Sequence, residues 1–179
     1  MDKGTFYRLV LSKLGVSELV EGSPEHKALE ECAQHAVARA LDYAPWRFAL
    51  VALELPLVDG FAELPGDCLE LRHVFGLTRW EVAGRRIVAL ELPGDATSVK
   101  VVYKSSAIAD AMTLPRHEVS WCEACVCLAA ATVAGRVTGN ARMGLELEQL
   151  AMQALYKARL KEVRAVASND QQKGGRSHG

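Results

Sequence analysis

The sequence predicts an α+β fold, a bundle of two N-terminal and two C-terminal helices with a small antiparallel β-sheet inserted between the pairs. Three observations predict it. Residues 28–41 and 141–167 carry apolar side chains at helical spacing. Between 47 and 108 the apolar runs become short or alternating and are punctuated by Gly and Pro. Small residues dominate 124–135, which lets another helix approach closely. The expected organisation is a single domain over 1–167, with a helical layer at 3–45 and 116–167 and a β-rich insertion at 47–108. A flexible, polar, Gly-rich C-terminal tail is expected at 168–179, and there is no internal repeat.

Taken in order, residues 5–14 form a short helix ended by Gly15. The next helix opens with Ser23 as N-cap, Pro24 in the first helical position and Glu25 at the positive end of the dipole. Ala28, Leu29, Cys32, Ala33, Ala36, Val37, Ala40 and Leu41 form its apolar stripe. Pro45 stops it. The runs RFALVALEL, CLELRHVFG, RRIVALEL and SVKVVYK then read as strands, with turns at Asp59-Gly60, Pro65-Gly66, Ala83-Gly84 and Pro93-Gly94. Pro115 opens a second helical region with Trp121, Cys125, Leu128, Ala129, Thr132 and Val133 on one side. Thr138-Gly139-Asn140 breaks it. A last long helix follows, with Leu147, Leu150, Ala151, Ala154, Leu155 and Ala158 as its buried side.

Composition narrows the function classes. The formal net charge is -1, so nothing global draws the chain to nucleic acid or to an acidic membrane. No apolar run is expected to reach the roughly 20 residues of a membrane span, and the first residues lack the shape of a secretion signal. Five cysteines, an odd number, read as reduced thiols rather than a disulfide framework.

Two enzymatic readings rest on those cysteines. Cys122 and Cys125 have Cys-x-x-Cys spacing with His117 nearby, as in half of a zinc site. No second ligand pair is visible, and the segment lies in an apolar helix where free cysteine acts as a small hydrophobe. Metal is therefore not expected. A Cys-His nucleophile would need a partner among His26, His35, His73 and His117, which are scattered. Asp59, Glu63, Asp67 and Asp95 fall at turns, where carboxylates usually bond the local backbone. Near the end of the last helix, Lys157, Arg159, Lys161 and Arg164 cluster with Glu162 as the nearby acid. Such charges suit a helix C-terminus, and they could also meet an acidic protein partner or DNA.

The order of segments resembles the phage head-to-tail adaptor family, the tail tubular protein A or gatekeeper-like group. LSKLG at 11–15 ends a short helix; a long alanine-filled helix ends in PWRFAL at 45–50. ELPGDCLELRHVFG at 63–76 leads into a strand, VKVVYK at 99–104 closes the sheet, and MTLPRHEVSWCEACVCLAAATVAGRVTG precedes a long charged helix. The resemblance covers nearly the whole chain to about 167.

It implies a structural virion protein with no catalytic role and no cofactor. Its partners would be a portal protein, a tail or nozzle protein, and further copies of itself in a dodecameric ring, with the free chain able to wait as a monomer. Double-stranded DNA would pass through the ring without sequence-specific binding, and no membrane is involved. Such a protein is made in the bacterial host cytoplasm and resides at the virion head-tail junction. The portal-docking candidates are Lys157, Arg159, Lys161, Arg164, Ser168, Asn169 and Asp170. Pro45, Trp46 and Phe48 form the structural junction between helix and sheet. The alternatives are a thiol- or metal-dependent enzyme using Cys122, Cys125 and His117, or a DNA-binding regulator.

Overall fold

A computed structural model describes residues 1–174 apart from 92, 93 and 95, with side chains to 165 in the last helix. The fold is α+β. The chain divides into two compact units, Met1–Trp46 with Ile108–Gly179, and Arg47–Ala107.

The first unit is helical. Helix α1 spans Lys3–Leu14. Its N-cap is Asp2, whose carboxylate accepts from the Thr5 amide at 2.9 Å and from the Thr5 hydroxyl at 2.9 Å. Those bonds, led by the backbone amide, hold the Asp2 carboxyl down at about 2. Helix α2 spans Pro24–Asp42, capped by Ser23 through the His26 amide at 3.1 Å. All eight residues of its expected stripe are buried.

After the short helix α3, Ala107–Asp110, helix α4 runs over Val119–Thr138. It begins later than Pro115 because residues 115–118 form a turn, with the Glu118 amide donating to the Pro115 carbonyl. Thr132, expected inside, is exposed. Helix α4 is 20 residues long with a mean hydropathy of 1.2, long and apolar enough to cross a bilayer, contrary to the sequence expectation. Its apolar surface is used within the protein: Trp121, Cys125, Leu128 and Ala129 are buried, and α1 and α2 both pack on it.

Helix α5, Ala141–Gly174, also packs on α4. Gly144 is the closest point, since a Cβ there would lie 2.9 Å from the Ala131 carbonyl oxygen. Leu147, Ala151, Ala154, Leu155 and Ala158 are buried, but Leu150 is 49% exposed. The helix continues past its expected end at 167 through residues expected to form a tail, and 175–179 lie outside the described residues.

Among the described residues the second unit holds six strands: β1 Leu50–Pro56, β2 Phe61–Glu63, β3 Cys68–Phe75, β4 Arg79–Ala83, β5 Arg86–Glu91 and β6 Ser98–Ser105. They form two antiparallel three-stranded sheets, ordered β1-β6-β3 and β2-β5-β4, where the sequence predicts one. Leu55, Ala62, Ile87, Val99, Val101 and Tyr103 make one shared core. Asp59 and Gly60, with φ of 51° and 81°, form the two-residue turn between the bridged Val58 and Phe61. Glu63 lies in β2 rather than in a turn and pairs with Arg86 at 2.6 Å. Asp67 accepts from the hydroxyls of Ser105 and Tyr103, and Asp95 lies outside the described residues. The first and last strands pair with each other, Leu50 facing Lys104, so the chain enters and leaves this unit side by side.

Candidate functional site

Helix α5 carries the cationic candidates. Helix α4 lies against it as far as Glu118, whose carboxylate meets Lys161 at 3.1 Å. Ala158 is the last buried residue among those described on α5. Lys157, Arg159 and Arg164 are exposed. Arg159 and Arg164 have no ion-pair partner among the described residues, so their charge faces outward. Lys161 is partly neutralised by Glu118. The backbones of Ser168, Asn169 and Asp170 belong to α5, and their side chains lie outside the described residues. The structure therefore places Lys157, Lys161 and Arg164 on one side of α5 and Arg159 on the opposite side, all before the helix continues to Gly174.

Pro45, Trp46 and Phe48 are divided between the two units. Pro45 is exposed, Trp46 is 1% exposed, and Phe48 is half-buried in the 3-10 turn Arg47–Ala49. The division between the units falls between Trp46 and Arg47, so Trp46 belongs to the helical unit and Phe48 to the β unit. Trp46 has a specific task. Its indole N–H donates to the Ala40 carbonyl at 2.7 Å, and the Trp121 indole reaches the same oxygen at 3.4 Å. Ala40 lies near the end of α2, where helix carbonyls lack helical partners. Two tryptophans thus close the end of α2 with apolar surface and donors together.

Cys32, Cys122, Cys125 and Cys127 are buried and Cys68 is half-buried. Cys125 is wholly buried and its thiol is raised well above the ordinary value by desolvation. Burial pushes Cys32 and Cys122 up to about 11. Cys127 and Cys68 are raised for the same reason. Cys122 donates to the Pro115 carbonyl at 3.2 Å. His117 stands exposed in the preceding loop with its Nε2 3.6 Å from Glu118. Among the described residues, no three His, Cys, Asp or Glu side chains converge as a metal site would require. Neutral thiols are the opposite of the thiolate that nucleophilic catalysis needs.

Two of the grooves among the described residues of the helical unit flank α4. One, of about 470 Å³ between α2 and α4, is lined by Cys32, His35, Arg39, Leu128 and Arg136. The other, of about 280 Å³, lies between α1 and α4 beside Leu9 and Val119.

Sequence reasoning missed a second feature of α5. Leu145, Met152, Tyr156, Leu160 and Val163 are 65%, 39%, 56%, 37% and 58% exposed. At about 100° per residue they fall within an arc of about 80°, roughly opposite the buried face. The signal was present as a second apolar periodicity, hidden because α5 is apolar on several sides. No protein-family model and no curated protein matches this chain.

Proposed function

We propose that this chain is a structural virion protein, a head-to-tail adaptor whose copies form a ring between the portal and the tail of a bacteriophage or prophage-like particle. The observation that carries this reading is the ordered set of segments from LSKLG through PWRFAL and ELPGDCLELRHVFG to the long charged helix. The arrangement of a helical unit interrupted by a β unit is compatible with it. The exposed cations Lys157, Arg159 and Arg164 support α5 as the docking element, with Ser168, Asn169 and Asp170 further along the same helix. An acidic portal surface would be the matching partner. The thiol-enzyme reading is disfavoured because desolvation keeps the thiols neutral. The DNA-regulator reading has a net charge of -1 against it.

The test mixes purified portal with full-length chain, with chain lacking 168–179, and with Arg159→Glu/Arg164→Glu. Electron microscopy should show added rings with the intact chain, none with the truncated chain, and fewer with the charge-reversed chain. Normal rings from the truncated chain would move docking away from the helix end. Absence of rings with the intact chain would defeat the adaptor reading.

A further inference from the structure

We propose that the outer stripe of α5 binds a second copy of this chain, the two α5 helices packing antiparallel across a two-fold axis at the level of Ala154. The stripe runs from Leu145 to Val163, about 27 Å at 1.5 Å per residue. Large apolar side chains in such a row resemble one half of a helix-helix seam rather than scattered surface residues.

The occupant follows from register. In an antiparallel pair about Ala154, each residue before that point faces the residue an equal number of positions after it. Leu145 then meets Val163 of the other copy, and Met152 meets Tyr156. Symmetry repeats both contacts, so two Met152 and two Tyr156 side chains surround the axis. Thioether against aromatic ring is a favourable and adaptable contact there.

The charges fit the same register. Glu148 and Arg159 lie on one flank of the stripe, and Glu146 and Arg164 on the other. Antiparallel packing brings like flank to like flank. Glu148 comes opposite Arg159 and Glu146 opposite Arg164, each within about one turn, giving two pairs per flank pairing once symmetry is applied. Within one chain Glu148 already meets Arg39 at 2.5 Å and Glu146 meets Arg142 at 3.2 Å. A carboxylate accepts from more than one guanidinium, so these contacts can be shared. Parallel packing would instead bring unlike flanks together, setting Glu148 near Glu146 and Arg159 near Lys157 and Arg164 of the other copy, and repel. A seam of one helix from each copy forms in proportion to concentration, as any association does. None of this depends on the adaptor reading, and its test needs no portal.

Sedimentation of the full chain over a concentration series should show a species that rises to twice the 19.4 kDa chain mass and no further. Tyr156→Glu should remain monomeric while melting as the parent does. Arg159→Glu and Glu148→Arg should each weaken self-association by roughly tenfold to a hundredfold. Mixing these two variants restores both Glu–Arg contacts in the mixed pair, so dimers should return. Arg164→Glu mixed with Glu146→Arg provides the same test should either first variant fail to fold. The proposal is overturned by a parent chain that stays monomeric at every concentration, by growth beyond the dimer, by a dimeric Tyr156→Glu, or by complementary variants that stay apart when mixed.

Discussion

Trp46 shows how one side chain joins sequence logic to fold. Pro45 ends the helical pattern, and the tryptophan that follows turns back to close the helix it has just left. Its Nε1–H bond to Ala40 and its stacking on Tyr43, with ring centroids 6.4 Å apart, hold it there. Trp46→Ala should cost about 3–5 kcal/mol, the range for deleting a large buried aromatic, measured by denaturant unfolding. An unchanged midpoint would remove Trp46 from the core. The thiols allow a second prediction at this scale. Cys32 and Cys122 titrate near the ordinary 9.0 in the unfolded chain but at about 11 in the folded one. Between those values the unfolded chain has released protons that the folded chain retains. Their contribution is therefore intact below pH 9 and is lost as pH rises toward about 11. The melting temperature of Cys32→Ala/Cys122→Ala should fall less steeply across that window than that of the parent; identical slopes would show that burial does not perturb the thiols. The burial of these cysteines was legible from their apolar neighbours. The sharing of Ala40 by two indoles was not, because Trp121 lies far away in sequence.

Individual elements were legible in proportion to their punctuation. Helix α2 has Ser23 and Pro24 at its start and a single apolar stripe, and all eight stripe residues are buried. Helix α5 has neither advantage. Leucines and alanines occur on several of its sides, so periodicity alone tells neither that Leu150 is exposed nor that a second apolar stripe faces outward. Residues 168–173 contain no Gly or Pro to stop it, and polar side chains alone do not end a helix. Strand β2 is three residues long, too short for an alternating pattern to register. The close approach of α4 and α5 was foreshadowed by the small residues at 124–135, but its contact point needed the partner helix. Gly144→Ala should normally stabilise a helix interior by up to about 1 kcal/mol. Here the new methyl would press on the Ala131 carbonyl, so the variant should instead lose about 1–3 kcal/mol, as overpacked sites do. Thermal denaturation decides this, and a raised melting temperature would show that the helices yield without cost.

For the molecule as a whole, the sequence located the passage between helix and sheet more clearly than the organisation of the sheet itself. Its limits at 47 and 108 lie beside the unit boundaries, whereas the division into two sheets depends on strand pairings that local patterns do not encode. The pairing of Leu50 with Lys104 brings the two ends of the β unit to about 5 Å, the usual spacing across an antiparallel pair. The helical unit therefore receives the insertion through two neighbouring strands. Replacing 47–107 by a short Gly/Ser linker should leave a folded, cooperatively melting helical protein, because closing a short loop changes stability only modestly. Circular dichroism and thermal melting check this. A molten or aggregated product would mean that the β unit contributes to the helical core.

The continuity of α5 through Gly174 alters the expected thermodynamics of docking. A segment that gains its shape only on a partner loses backbone freedom when it binds, and its association shows the large negative heat-capacity change of coupled folding. A segment already helical has met that entropic requirement within its own chain. Its binding would show a heat-capacity change set mainly by the contact area, and an encounter rate free of any folding step. Affinity would then depend on the partner surface the rod meets, and the length of the helix would act as a fixed ruler for where that surface must lie.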